Sequence, residues 1–112
     1  MARLPSHLLI AALIRSVQDR GGFAMMLHKG DADAGSILIQ TAEKGVFTGL
    51  YERVANGRGG YALEAAATSH WGDSAALAQY LEKRIRNDPD LWLIELDIPN
   101  SQRLIAEILP EG

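Results

Sequence analysis

The residues best suited to chemistry lie close together between residues 84 and 92. Arg86, Asp88 and Asp90 place one cation and two carboxylates within a few positions, and Trp92 follows them. Such a set can bind a partner peptide or a small molecule, because the charges orient a ligand and the aromatic side chain anchors it. A structural role explains the same residues, since basic side chains suit a helix end, an aspartate stabilises a turn and a tryptophan packs in a core. The segment is therefore a candidate binding site, and we favour the structural interpretation of it.

A catalytic site would need these charges to meet a titratable group from elsewhere in the chain. His28 is the best candidate for that group, so the rival hypothesis is a small enzyme or ligand-binding protein that combines His28 with Arg86, Asp88 and Asp90. No serine lies in a nucleophile-elbow motif. We therefore assign no catalytic residue.

Three motifs that suggest a bound ion fail on spacing. A calcium loop that begins at Asp31 would need glutamate at its twelfth position, where this chain has Ala42. The glycine-rich residues 57–60 lie between two predicted strands, whereas a phosphate loop joins a strand to a helix. The three histidines fall in three different predicted elements, which is not the spacing of a zinc site. We therefore expect no metal site and no cofactor.

Composition narrows the function classes further. The chain has 112 residues, a net charge of −3 and no cysteine, which predicts one domain over residues 1–112 without disulfides or thiolate metal sites. The acidic balance argues against a broad nucleic-acid-binding surface. The longest apolar run, residues 8–14, is too short for a membrane span, and Arg15 follows it without the cleavage site of a secretory leader. We expect a cytoplasmic protein that does not bind membranes and has no broad nucleic-acid-binding surface.

Three segments predict helices because apolar side chains recur every three or four positions: residues 6–20, 74–87 and 102–109. Ser6 is suited to cap the first helix, and Gly21 and Gly22 end it. Asp73 or Ser74 is suited to cap the second. The third helix is short.

Five segments predict strands: residues 23–28, 36–41, 46–54, 61–67 and 91–98. The short turns between the first four predict a meander of consecutive antiparallel strands. In the first strand, alternation places Phe23, Met25 and Leu27 on one face and Met26 and His28 on the other. We expect both methionines to pack in the core, with an adaptable binding face as the alternative.

These elements predict an α+β domain, with a mainly antiparallel sheet of about five strands packed against two main helices and a short C-terminal helix. The consecutive residues Ile37, Leu38 and Ile39 place the second strand in the interior of the sheet. If helices cover only one face of such a sheet, self-association is the natural way to cover the other. The favoured function is therefore a non-enzymatic cytoplasmic binding or adaptor module that pairs with itself or with another protein.

Two stretches of the sequence resemble a known family. The first comprises residues 21–24, 27–30 and 34–37, which read Gly-Gly-Phe-Ala, Leu-His-Lys-Gly and Ala-Gly-Ser-Ile. The second is residues 84–95, Arg-Ile-Arg-Asn-Asp-Pro-Asp-Leu-Trp-Leu-Ile-Glu. Together they resemble the small alphaproteobacterial family labelled domain of unknown function 1491. The resemblance spans most of the chain, is weak over residues 42–72, and implies a bacterial, cytoplasmic protein. Because the family has no established activity, the resemblance implies no catalytic residue.

Overall fold

The computed structural model describes residues 4–109, and all the predicted helices and strands form within them. In chain order, the elements are α1 (Ser6–Asp19), β1 (Phe23–His28), β2 (Ile37–Glu43), β3 (Val46–Ala55), β4 (Tyr61–Ala65), α2 (Ser74–Asn87), β5 (Trp92–Asp97) and α3 (Ser101–Ile108). A 3₁₀ turn, Thr68–His70, lies between β4 and α2. The α+β fold class is confirmed, and every predicted bound lies within two residues of the observed one.

The strand order of the sheet is β1-β5-β2-β3-β4, so the predicted four-strand meander is wrong at its first step. Strand β5 lies between β1 and β2, antiparallel to β1 and parallel to β2, and the meander is limited to β2, β3 and β4. Hydrophobic alternation predicts which face a side chain occupies, but it does not predict which strand is its neighbour. Burial explains the observed order. Both β5 and β2 carry apolar residues on both faces, and both lie inside the sheet with a strand on each side.

Helices cover both faces of the sheet. On one face, α1 and α3 pack against β2 and β5 in a cluster of Leu9, Ile10, Leu13, Val17, Ile37, Ile39, Trp92, Ile94, Leu96, Ile98, Leu104, Ile105 and Leu109. On the other face, α2 packs through Leu77 against Leu38, Leu50, Leu91 and Leu93. The centre of the sheet therefore needs no second copy to cover it. Within residues 4–109, β1 adds only the half-buried Ala24 to these clusters.

The start of α1 differs from the prediction in one respect. Ser6 is not the cap: Pro5 occupies that position, and the buried Ser6 hydroxyl donates a hydrogen bond of 2.8 Å to the Gly35 carbonyl. Backbone carbonyls of Asp33 and Ala32 accept the first amide hydrogens of the helix. A neighbouring loop therefore does what a capping side chain does elsewhere. At α2, by contrast, the Asp73 carboxylate accepts from the Ala76 amide, so this predicted cap is confirmed.

The connection from β1 to β2 passes over the start of β5 in close backbone contact. The Asp31 amide donates to the Asp90 carbonyl at 2.9 Å, and the Trp92 amide donates to the Ser36 carbonyl at 2.7 Å. Gly30 and Gly35 make this approach possible, because a Cβ atom at either position would lie far inside van der Waals contact of the Asp90 carbonyl oxygen. The two glycines thus allow β5 to insert beside β2.

A bulge in β1 overturns the predicted alternation at its end. Met26 lies opposite Ile94, whereas His28 lies opposite the adjacent residue Leu93, and Leu27 is the extra residue between them. Neighbouring residues of β5 point to opposite faces, so His28 shares a face with Met25 instead of Met26. The sequence pattern contained no signal for this bulge.

Replacement of Gly35 by alanine tests the close contact over β5. We expect Gly35→Ala to lower the free energy of unfolding by about 1–3 kcal/mol, because the new methyl group meets rigid backbone. Gly72→Ala is the matched control, since a Cβ there has nothing within 4 Å. Urea unfolding of both variants measures the difference, and equal stability of the two would contradict the packing described here.

Candidate functional site

Two of the sequence-predicted site residues have structural partners. Trp92 is buried, and its indole Nε1 donates a hydrogen bond of 2.6 Å to the Asp31 carbonyl. His28 is half-buried, and its Nδ1 donates to the Leu91 carbonyl at 2.7 Å. Because His28 lies opposite Leu93, it is on the other face of the sheet from Trp92. The fold does not bring these two side chains into one site.

The charged residues of the same segment contribute mainly through their backbones. Arg86 and Asp90 are exposed and Asp88 is half-buried. The Asp88 amide donates to the Arg84 carbonyl at 2.9 Å, and the Asp88 carbonyl accepts from the Leu91 amide at 3.1 Å. These contacts close the turn from α2 into β5. A polar groove made by Arg86, Asp88 and Asp90 stays a prediction, and the observed contacts favour the structural interpretation of the segment.

The cation of this segment with the most extensive contacts is Arg84, which is not among the site residues predicted from the sequence. Its guanidinium donates to both carboxylate oxygens of Glu52, at 3.0 and 2.8 Å, and to the Tyr80 hydroxyl at 2.9 Å. The hydrogen bonds that Arg84 donates to the Glu52 carboxylate raise the pKa of Arg84 above its ordinary value, against the opposing effect of burial. The pair is partly buried, with the side chains of Arg84 and Glu52 27% and 22% exposed, and it joins α2 to β3.

A cavity of about 330 Å³, lined mainly by residues with polar groups, lies where the β2–β3 hairpin meets the start of α3. Its lining includes Thr41, Glu43, Thr48, Tyr51, Ile98, Asn100, Ser101, Gln102 and Arg103. The Thr48 hydroxyl donates to Thr41 at 2.8 Å, Thr41 donates to the Gly49 carbonyl, and the Gln102 amide donates to the Tyr51 hydroxyl. The sequence did not predict this cavity, because the residues that line it come from two distant segments and only the fold brings them together.

Besides the cavity, the structure has an apolar edge strand. We call it the β1 edge and define it as Phe23, Met25, Met26 and Leu27. The exposed fractions of these residues are 77%, 59%, 42% and 44%. The expectation that both methionines pack in the core is therefore wrong. Strand β1 pairs with β5 along one side only, so the backbone groups along its other side have no strand partner among the described residues.

Residues 4–109 contain neither a metal-ligand cluster nor a membrane-spanning helix. Within that range, no group of three or more histidine, aspartate or glutamate side chains is placed to hold a metal ion. No helix in the same range combines the length and the apolar character needed to cross a bilayer.

The open five-stranded sheet with helices on both faces defines a three-layer α+β protein. The family model described as protein of unknown function (DUF1491) matches residues 4–106, and the chain belongs to that family.

Solved structures share this fold over their whole length. The crystal structure of a DUF1491 family protein from Caulobacter crescentus is 29% identical, with 98% of each chain covered and a TM-score of 0.79. The solution structure of a protein from A. tumefaciens is 27% identical and has a TM-score of 0.76. The match covers 99% of this chain and 98% of that protein. No curated protein matches the chain. The relatives are alphaproteobacterial, which confirms the resemblance stated from the sequence.

Loss of the Arg84–Glu52 pair tests its structural role. We expect Arg84→Gln to lower the free energy of unfolding by about 1–2 kcal/mol, because it leaves the half-buried Glu52 carboxylate without its cation. Arg86→Gln removes a neighbouring exposed charge on the same helix and should change stability by less than about 0.5 kcal/mol. Thermal or urea unfolding compares the two variants, and an equal loss in both would show that the pair contributes nothing specific.

Proposed function

We propose that this protein is a non-enzymatic cytoplasmic binding module that forms a homodimer by antiparallel pairing of β1 with β1 of a second copy. The observation that carries the proposal is the β1 edge, an unpaired strand side with four exposed apolar side chains. Pairing would continue the sheet across two copies and hydrogen-bond the free backbone groups of both strands.

The distribution of apolar surface favours this strand over other surfaces. Seven large apolar residues are exposed within the described range, and four of them form the β1 edge, the others being Leu4, Leu8 and Val46. Monomeric proteins usually protect such an edge with charge, proline or a covering loop. The strand Phe-Ala-Met-Met-Leu-His carries none of the permanently charged residues. Its side chains therefore offer no electrostatic protection against pairing.

The opposite edge of the sheet has the protection that β1 lacks. Strand β4 is one residue shorter than β1 and presents the exposed carboxylate of Glu64. The Arg53 guanidinium of the adjacent strand lies 3.7 Å from the centre of the Tyr61 ring. Charge at this edge discourages the addition of a further strand. Only one of the two sheet edges is thus suited to pairing.

A second copy suits the β1 edge for reasons of symmetry and charge. Antiparallel strands are related by a two-fold axis, so one edge can pair with itself without a separate complementary surface. An uncharged strand meets no repulsion from its own copy. The exposed parts of the four side chains come to roughly 400 Å² per copy, and with the strand backbones a pair would bury about 1,000 Å² in total. That area is near the lower limit for a specific interface. It predicts a weak dimer, whose population rises with protein concentration.

A lysine in the β1 edge tests the proposal. We expect the wild-type protein to pass from monomer to dimer over about a hundredfold range of concentration, and Met25→Lys to remain monomeric because it adds two like charges at the pairing strand. Val46→Lys is the matched control, since Val46 is 67% exposed but lies on β3, away from the edge. Sedimentation velocity measures the assembly state, and circular dichroism checks that each variant is folded.

Two results would contradict the proposal. One is a wild-type protein that stays monomeric over the whole concentration range. The other is loss of dimers in Val46→Lys to the same degree as in Met25→Lys, which would place the interface elsewhere.

A further inference from the structure

The two methionines of the β1 edge are neighbours on a strand that pairs along one side only. Met25 is 59% exposed and Met26 is 42% exposed. The chain has no cysteine and one further methionine, Met1, which lies outside the described residues. Met25 and Met26 therefore hold the only sulfur atoms within residues 4–109, and solvent reaches both side chains.

The register of β1 on β5 gives the two methionines different surroundings, because neighbouring residues of a strand point to opposite faces. Met26 lies opposite Ile94, which is fully buried in the core cluster beneath α1 and α3. Met25 lies opposite Glu95, whose carboxylate accepts a hydrogen bond of 2.6 Å from Gln40 on the strand beyond it. Neither methionine belongs to a core cluster. Met25, on the face away from α1, is the more accessible of the two.

An exposed thioether reacts with hydroperoxides by transfer of one oxygen atom. The sulfur lone pair attacks a peroxide oxygen, so that an S–O bond forms while the O–O bond breaks. Sulfur is oxidised by two electrons and the peroxide is reduced by two. With hydrogen peroxide, the proton on the transferred oxygen passes to the departing hydroxide, which leaves as water. The product, methionine sulfoxide, replaces an apolar side chain by a polar one.

We infer that Met25 and Met26 form a modification site for hydroperoxides, and that their oxidation separates paired β1 strands. The second half of this inference rests on the proposed dimer. Pairing would place the two side chains of each copy against apolar groups of the other. A sulfoxide in that contact loses its hydration without gaining a hydrogen-bond donor, which disfavours the pair. An interface close to the lower limit of area is sensitive to such a loss.

Timed exposure of the full chain to hydrogen peroxide tests the modification site. Trypsin releases residues 21–29 as one peptide that holds both methionines, and mass spectrometry of its fragments measures the oxygen added to each. In dilute protein we expect Met25 to react faster than Met26, at a rate close to that of N-acetylmethionine in the same solution. Oxidation of Met26 before Met25, or oxidation of both far more slowly than of N-acetylmethionine, would overturn the site.

Sedimentation velocity of the same samples tests the effect on pairing. We expect peroxide to raise the dissociation constant of the wild-type dimer by about tenfold or more. The double variant Met25→Leu, Met26→Leu keeps apolar side chains of similar volume and should remain dimeric in peroxide. This variant retains Met1, so loss of its dimers in peroxide would show that the two edge methionines are not responsible. Met25→Gln introduces a polar group of similar size and should weaken pairing without peroxide.

The two halves of the inference fail separately. Untreated wild-type protein that stays monomeric at every concentration would contradict the proposed dimer and, with it, the effect of oxidation on pairing. The oxidation rates of Met25 and Met26 in that monomer would still decide the modification site. A wild-type dimer that persists after both methionines are oxidised would leave the dimer in place and overturn its control by peroxide.

Discussion

Strand β5 is inserted between β1 and β2, although it comes last of the five strands in the chain. Six residues of β5 lie in parallel register with β2, and its other side pairs with β1. The insertion depends on close backbone packing, in which Gly30 and Gly35 let the β1–β2 connection pass over Asp90. The Trp92 amide and indole then both bond to that connection.

Both candidate surfaces follow from this insertion. Because β5 lies between β1 and β2, β1 becomes an edge strand whose large apolar residues remain outside both clusters of the core. Because α3 follows directly after β5, the start of this helix reaches the β2–β3 hairpin and forms one wall of the cavity there. The edge strand is suited to a second protein chain, and the cavity lies at a different place on the molecule.

The helices and strands could be predicted from the sequence because their signals are local. Apolar periodicity and turn residues predicted the bounds of β1 and α2 to the residue, and Asp73 was one of the two candidates for the cap of α2. Strand order could not be predicted this way, because alternation carries no information about neighbours. The same limit applies to the bulge at Leu27 and to Ser6, whose partner Gly35 is distant in sequence.

The candidate sites show the same division between local and long-range information. The segment from Arg86 to Trp92 was a candidate binding site because it holds several charged residues close together in the sequence. Its observed contacts mainly join a helix to a strand. The cavity beside Ser101 is lined by residues that lie about half the chain apart, so no local spacing pattern predicts it. Met25 and Met26 have the composition of core residues, and only the strand order reveals that they are exposed.

Amide hydrogen exchange in β1 tests the central claim most directly, namely that the insertion of β5 leaves an edge that pairs with a second copy. The amides of β1 that point away from β5 should exchange more slowly as protein concentration rises, because pairing covers them, while the amides of β4 should not change. Exchange of the β1 amides at a rate independent of concentration would contradict the account.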